Sequence, residues 1–192
     1  MLNWYDLPTY YDVSFSHEMN DELIFLKKIF KKYSNSSKPK LLEPACGTGR
    51  LIIPLIQEGY DCSGFDLNRN ALLYLEKKLK RRKMYANIFF DNMTKFKIHK
   101  KYDGIYCTVD TFRHLLTEND AIRHLINIKN ALKKNGIYVL GLHLIANEKK
   151  IDKVTQWTAK RGGLTIRTIM SMVKLDKIKR RETLRVELKI KT

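Results

Sequence analysis

The sequence predicts an α/β fold: a doubly wound parallel sheet with helices on both faces, followed by an antiparallel β-hairpin. After Pro39, short strand signals alternate with amphipathic helical segments, and this alternation is typical of parallel sheets. A Gly-x-Gly sequence, Gly47 and Gly49, lies where the first strand passes into the first helix. Asp66, nineteen residues after Gly47, ends the second strand. A glycine turn followed by an acid at the next strand end is the arrangement of nucleotide-binding α/β folds.

An N-terminal helix is predicted ahead of the sheet, from His17 to Tyr33, because apolar residues recur there every three or four positions. A serine-rich patch, 34–39, separates this helix from the sheet. Five strands then alternate with three helices. The predicted strands are 40–44, 60–66, 87–90, 102–109 and 137–145, and the predicted helices are 50–58, 70–83 and 118–134.

The tail differs from the preceding alternation. Two β-type runs, 164–173 and 182–191, flank Asp176 to Arg181 and predict an antiparallel hairpin outside the parallel sheet. We expect one domain over residues 1–150, with a helical cap over about 1–38, and a basic hairpin extension over 151–192 that belongs to the same domain. Either the chain is truncated at Thr192, or the edge of the fifth strand is covered in another way.

Composition excludes several classes of protein. The longest mostly apolar run, 136–146, has eleven residues and is too short to cross a bilayer, so we expect no membrane partner. The N-terminus has no basic and apolar regions of a secretory signal. The three cysteines lack Cys-x-x-Cys spacing, which excludes a disulfide framework and disfavours a zinc site. We therefore expect a cytoplasmic protein without a bound metal.

The net charge of +17 is concentrated near the C-terminus. Residues 151–192 hold twelve basic and four acidic side chains, whereas residues 1–40 hold six and five. Such a field favours anionic partners, including nucleic acid, although a generally lysine-rich composition gives the same excess. The basic run 77–83 ends a predicted helix, where cations complement the helix dipole, and we expect it to be a solvated face or an RNA-backbone contact.

The glycine loop has a physical reason to bind a ligand. Glycines let the backbone approach a ligand closely, and the first turn of the following helix offers unpaired N–H groups to an anionic group. Asp66 can accept hydrogen bonds from ribose hydroxyls. A dinucleotide fingerprint would need glycine at position 52, which is Ile52, so a nicotinamide cofactor is disfavoured.

These segments resemble class I S-adenosylmethionine-dependent methyltransferases, which have a Rossmann-like fold. Within that family, the sequence is most similar to a bacterial subgroup whose substrates are small molecules or unknown. The resemblance covers residues 5–145 well and 151–192 loosely. The segments that carry it are 10–12, 43–50, 64–67, 90–93, 102–109 and 110–118.

The resemblance implies the cofactor S-adenosyl-L-methionine and the product S-adenosyl-L-homocysteine. It places Gly47 and Gly49 along the methionine part, Glu43 and Ala45 beside it, and Cys46 in the same loop. It assigns Asp66 to the two ribose hydroxyls. An ordinary turn at the glycines and a helix cap at Asp66 are the alternatives.

The remaining implied contacts lie at later strand ends and near the N-terminus. Leu67, Asp91 and Met93 are placed against the adenine, and Thr108 and Val109 on the sulfonium side. Tyr11 closes over the cofactor, because an aromatic face suits a cation. Alternatively, Asp91 caps the following segment, and Tyr11 is an aromatic residue that only packs against its neighbours.

The resemblance implies methyl transfer to an O or N nucleophile of a small molecule. Asp110, Arg113 and His114 are the candidates for substrate contact or catalysis. One alternative is an RNA-directed methyltransferase, or a nucleic-acid-binding module that uses the basic hairpin. Another is a truncated, inactive protein with the same fold. A homodimer is a further expectation, because an open edge strand favours self-association.

Overall fold

The computed structural model describes residues 3–15, 20–142 and 154–192. A five-stranded sheet in the order β3-β2-β1-β4-β5 forms its centre, and all neighbouring strands are parallel. The strands are β1 Lys40–Pro44, β2 Asp61–Asp66, β3 Asn87–Phe90, β4 Tyr102–Cys107 and β5 Leu132–Leu140. The predicted parallel sheet is confirmed. The strand order reverses between β1 and β4, and ligands of open α/β sheets bind in the crevice beyond such a point.

Helices cover both faces of the sheet. The side chains of Leu41 and Leu42 in β1 point to opposite faces of the sheet. Leu41 packs into the cluster that contains Phe30 and Leu75, and Leu42 packs into the cluster that contains Ile128. The helices are α1 Pro8–Ser14, α2 Asn20–Tyr33, α3 Ile52–Gln57, α4 Arg69–Arg81 and α5 Glu118–Ala131, with 3-10 turns at Trp4–Asp6 and Thr111–His114. Within the described residues, no helix is long and apolar enough to cross a membrane.

Several predicted boundaries differ from the structure. Strand β4 ends at Cys107 instead of Val109, because Val109 and Asp110 adopt left-handed backbone conformations, with φ of 52° and 62°. The fifth helix ends at Ala131, and the next residues already belong to β5, which bulges opposite β4. The predicted start of α2 at His17 and the end of the fifth strand at residues 143–145 lie outside the described residues.

A second, antiparallel sheet lies outside the parallel one. It consists of β6 Val154–Arg161, β7 Leu164–Asp176 and β8 Arg181–Lys191 in that order. The predicted hairpin is confirmed as β7 and β8, and β6 adds a third strand that sequence analysis missed. We call this sheet the roof. Its apolar side packs on α1, where Val13 contacts Ala159 and Ile166.

The roof is attached at two places. At one end, Trp157 Nε1 donates to the Ser14 carbonyl at 2.8 Å, and Thr168 Oγ1 donates to Ser14 Oγ at 3.0 Å. At the other, Glu182 pairs with Arg113 at 2.7 Å, in the segment that follows β4. The roof therefore contacts both the N-terminal helix and the carboxyl end of the central sheet.

Candidate functional site

Asp66 lies at the carboxyl end of β2, where it faces the glycine loop after β1. Its Oδ2 accepts the Gly47 N–H and its Oδ1 accepts the Asn68 N–H, each at 2.7 Å. Burial raises the pKa of this carboxyl, and the backbone N–H groups oppose the shift. Each carboxylate oxygen retains a second lone pair, so two hydroxyl groups can still donate to it. The Asn68 side chain caps α4 instead, accepting the Ala71 N–H at 3.0 Å, so capping does not require Asp66.

The glycine loop has a backbone that only small residues accommodate well. Ala45, Gly47 and Gly49 have φ of 54°, 51° and 71°. A Cβ on Gly49 would lie 2.2 Å from Leu75 Cδ1, so glycine is required there for packing as well as for φ. The space beside Gly47 is open by comparison, since a Cβ there would lie 4.0 Å from Asp66 Oδ2.

Cys46 lies in this loop but has no chemical environment for a nucleophile. Its side chain is buried, and burial raises the pKa of the thiol well above its usual value, with Glu43 and Asp66 adding to the effect. A thiolate is therefore disfavoured. Its backbone joins β2, because the Cys46 N–H donates to the Phe65 carbonyl at 3.0 Å.

Glu43 is a buried acid beside the same loop. The Tyr106 hydroxyl donates to its Oε2 at 3.0 Å. Burial raises the pKa of Glu43 to about 8, although the nearby Arg50 and the Tyr106 hydroxyl favour the charged form. Arg50 itself pairs with Glu22 of α2 at 2.6 Å. Glu43 is thus an acid whose charge state depends on what binds next to it.

The predicted adenine contacts lie at the next strand ends. Leu67 is 56% exposed directly after Asp66. The Asp91 N–H donates to the Asp66 carbonyl at 3.3 Å, which brings the end of β3 beside the end of β2. Met93 is half-buried, and its carbonyl accepts a hydrogen bond from Nδ1 of the buried His124 at 3.1 Å.

The segment after β4 places Thr108 and Val109 at the crevice. Val109 is 47% exposed and left-handed, a costly conformation for a β-branched residue that is characteristic of functional sites. Arg113 pairs with Asp110 at 3.5 Å and with Glu182 of the roof at 2.7 Å. His114 Nε2 lies 3.1 Å from the Tyr5 hydroxyl.

An aromatic cluster covers this end of the sheet. Tyr11 packs against Trp4 at 5.1 Å and Phe15 at 4.9 Å between ring centroids, and Phe15 reaches Trp157 of the roof at 5.5 Å. Burial raises the pKa of the Tyr11 hydroxyl, and Asp66 and Glu43 raise it further, so Tyr11 lies within electrostatic reach of both acids. We call residues 3–15 the lid segment.

The lid segment is bonded directly to the crevice. Asn68 Nδ2 donates to the Tyr5 carbonyl at 3.0 Å and to Asp6 Oδ1 at 2.8 Å. Of the residues in these contacts, Tyr11 was predicted from the sequence, whereas Tyr5, Asn68 and Trp157 were not. The clustering of aromatic residues within the first fifteen positions was the available signal for Tyr5, whereas Trp157 gave none.

The fold and these strand ends define a Rossmann-like α/β protein whose candidate site lies at the carboxyl end of the parallel sheet. A family model described as a methyltransferase domain matches residues 41–136, half of the chain. The chain belongs to this methyltransferase-domain family.

Curated relatives match more than half of the chain. A protein of Geobacillus sp. (strain WCH70) that bears a provisional methyltransferase name is 27% identical over 132 residues, covering 69% of this chain and 52% of the relative. A glycine/sarcosine N-methyltransferase of Parasynechococcus marenigrum (strain WH8102) is 30% identical over 121 residues, covering 60% of this chain and 41% of the relative. The chain thus spans about half the length of the curated relatives it matches.

Solved structures share the fold over the whole chain. Streptomyces venezuelae DesVI superposes with a TM-score of 0.76 at 16% identity, covering 100% of this chain and 84% of that one. The sugar N-methyltransferase KedS8 from Streptoalloteichus sp. ATCC 53650 has a TM-score of 0.73 at 15% identity, with coverage of 100% and 79%. At such identities the likeness concerns the fold alone, and it confirms the Rossmann-like class.

Proposed function

We propose that the chain binds S-adenosyl-L-methionine and transfers its methyl group to an N or O nucleophile of a small molecule. The observation that carries the proposal is Asp66, whose carboxylate closes the glycine loop at Gly47 and keeps lone pairs for two hydroxyl donors. The family match supports the same ligand. The bound ligand supplies an electrophilic methyl carbon: the C–S electron pair stays on sulfur, a new N–C or O–C bond forms, and the acceptor's proton is lost.

The residues present fit the ligand's charges. Asp66 suits the ribose, and the exposed Leu67 offers an apolar surface to a base. The ligand's α-ammonium group and its sulfonium are cationic, and they would lie near Glu43 and the ring of Tyr11, both suited to positive charge. Gly47 and Gly49 allow the close backbone approach, and Thr108 and Val109 would bound the methyl group.

A small acceptor is favoured by the roof. Its bonds to Ser14 and Arg113 hold it over the carboxyl end of the sheet, which restricts the space for a polymer. Methyl transfer in such a site proceeds largely by orientation, since fixing the nucleophile in line with the methyl carbon can remove roughly 7–11 kcal/mol of the barrier.

The three candidate catalytic residues divide into two groups. Arg113 is paired with Asp110 and Glu182, so we assign it and Asp110 to shaping the acceptor site. The imidazole of His114 can take up the proton that an acceptor loses, and its hydrogen bond with the Tyr5 hydroxyl would orient the ring.

The test is calorimetric titration with S-adenosyl-L-homocysteine. Asp66→Ala removes two charged acceptors for ribose hydroxyls, each contributing on the order of 1.5–3 kcal/mol, so affinity should fall by about a hundredfold or more. Asp66→Asn keeps one acceptor for the backbone, so its affinity should lie between those of the unaltered chain and Asp66→Ala. Asp103→Ala is the matched control, because Asp103 also accepts a backbone N–H, from Lys40 at 2.8 Å, but at the amino end of β4.

The two negative outcomes of this titration distinguish the ribose role of Asp66 from the methyltransferase proposal. Unchanged affinity in a folded Asp66→Ala variant would remove the ribose assignment. No binding by the unaltered chain would overturn the methyltransferase proposal itself.

A further inference from the structure

Lys78 of α4 is a buried lysine with two defined acceptors. The residue is 8% exposed, and its Nζ donates to Asp12 Oδ1 at 2.6 Å and to the Thr48 carbonyl at 3.1 Å. Lysine is almost never buried unless its charge is paired. Thr48 lies between Gly47 and Gly49, so one ammonium group bonds directly to the glycine loop.

Asp12 connects the same ammonium group to the lid segment and the roof. It follows Tyr11 in α1, and its carboxylate also accepts Arg161 Nη1 at 2.6 Å and the Tyr74 hydroxyl at 3.1 Å. The Asp12 side chain is 6% exposed, whereas that of Arg161 is 42% exposed. Two cations therefore share one carboxylate, but only Lys78 also contacts the glycine loop.

The buried Lys78–Asp12 ion pair joins α4 to α1 at a large cost in desolvation free energy. Taking both charges out of water costs several kcal/mol per ion, and apolar residues of similar size often pack at least as stably. An apolar side chain at position 78 would join α1 to α4 equally well, but it would leave the Thr48 carbonyl without its charged donor. The bond to Thr48 is thus what a lysine adds at this position.

The carbonyl of Thr48 has consequences for the loop. Its direction fixes the peptide between Thr48 and Gly49, and the Gly49 N–H in turn donates to the Cys46 carbonyl at 2.9 Å. Several residues of this loop have positive φ, so its conformation depends on such external bonds.

We propose that Lys78 is a positioning residue that couples the conformation of the glycine loop to the position of the lid segment, through Thr48 and Asp12. A ligand that orders the loop thereby favours the lid segment packed over it, with Tyr11 against the ligand. As far as it concerns ligand binding, this inference rests on the proposed function. The coupling between loop and lid segment exists without the ligand.

The variants are Lys78→Met and Arg161→Met. Both remove one cation from Asp12 and keep an unbranched side chain, but only the first also removes the donor to Thr48. Lys78→Gln is a second variant, since its amide can still donate while its charge is lost. Thermal unfolding identifies the variants that remain folded.

The first measurement is hydrogen–deuterium exchange of the ligand-free protein. We expect Lys78→Met to speed exchange in both the glycine loop, 45–51, and the lid segment, 3–15. Arg161→Met should speed exchange in the lid segment and roof but leave the loop protected. If a folded Lys78→Met variant leaves loop exchange unchanged, or if Arg161→Met exposes the loop equally, the coupling is refuted.

The second measurement is S-adenosyl-L-homocysteine binding, followed by the fluorescence of Trp4 and Trp157, the two tryptophans of the chain. A lost charged hydrogen bond of about 1.5–3 kcal/mol predicts affinity about ten- to a hundredfold weaker in Lys78→Met, with faster dissociation. Arg161→Met should stay within about threefold of the unaltered chain. Equal losses in the two variants would also refute the coupling. If the unaltered chain does not bind, the proposed function fails, and exchange alone decides the coupling.

Discussion

Glu43 should release a proton when S-adenosyl-L-methionine binds. In the free chain, burial raises the pKa of its carboxyl from 4.5 to about 8. At pH 7 the carboxyl is therefore about nine-tenths protonated. A ligand that brings a sulfonium and an ammonium group close to it favours the carboxylate, because nearby opposite charge lowers the pKa of an acid.

The expected size of the effect follows from the pKa of about 8. If the bound ligand returns the pKa to near its usual value, binding at pH 7 releases close to one proton, about 0.9. Affinity should then rise about tenfold per pH unit between about pH 4.5 and pH 8 and level off above pH 8. S-adenosyl-L-homocysteine has no sulfonium charge, so its proton release should be smaller.

The assay is titration calorimetry at pH 7 in phosphate and in Tris, whose different ionisation enthalpies reveal the number of protons released. Glu43→Gln is the matched variant, since its amide oxygen can still accept the Tyr106 hydroxyl but it carries no titrating proton. The variant should show the same binding enthalpy in both buffers. An enthalpy independent of buffer in the unaltered chain, or equal release by Glu43→Gln, would refute the reasoning.

The same residue makes the ligand-free fold sensitive to pH. Because the pKa of Glu43 is raised in the folded state, its contribution to stability is complete below pH 4.5 and is lost as pH rises through about 8. At its steepest the loss is about 1.4 kcal/mol per pH unit. Relative to the unaltered chain, Glu43→Gln should therefore gain stability between pH 5 and 8 in urea unfolding. A constant difference between the two proteins would contradict the raised pKa.

Two other properties can be measured directly. Gly49→Ala combines a positive φ of 71° with a Cβ 2.2 Å from Leu75, so it should cost about 2 kcal/mol or more in urea unfolding and weaken ligand binding. Gly59→Ala is the control: φ is also positive there, at 90°, but a Cβ meets no atom of the described residues within 4 Å. Its loss of unfolding free energy should therefore be smaller and reflect backbone strain alone. The chain should self-associate at high micromolar concentration, because β5 is an edge of the described parallel sheet, and a clean monomer in light scattering would contradict this.

The sequence predicted what depends on neighbouring residues. Gly47 and Gly49 follow β1 within a few residues and Asp66 ends β2, so the alternation of strand and helix signals predicted their positions correctly. Lys78 was predicted within a solvated basic face or an RNA-backbone contact, and that prediction is wrong because the residue lies on the buried face of α4 with Leu75. Its partners, Asp12 and the Thr48 carbonyl, lie 66 and 30 residues away, so the local sequence does not reveal them.

Long-range pairing also explains the missed elements. Helix α1 has seven residues and no side-chain cap, and its packing on the roof cannot be derived from its own pattern. Strand β6 is mostly exposed, so its sequence lacks the apolar alternation by which β7 was recognised.

The two halves of the candidate site have different origins in the sequence. The family model matches 41–136, which contains every proposed cofactor contact except Tyr11. The groups that enclose the crevice come instead from the lid segment and the roof, which meet through Trp157 and Ser14 although 143 residues separate them. Under the proposed function these flanking segments would line the acceptor, and Asp12 and Lys78 connect them to the glycine loop.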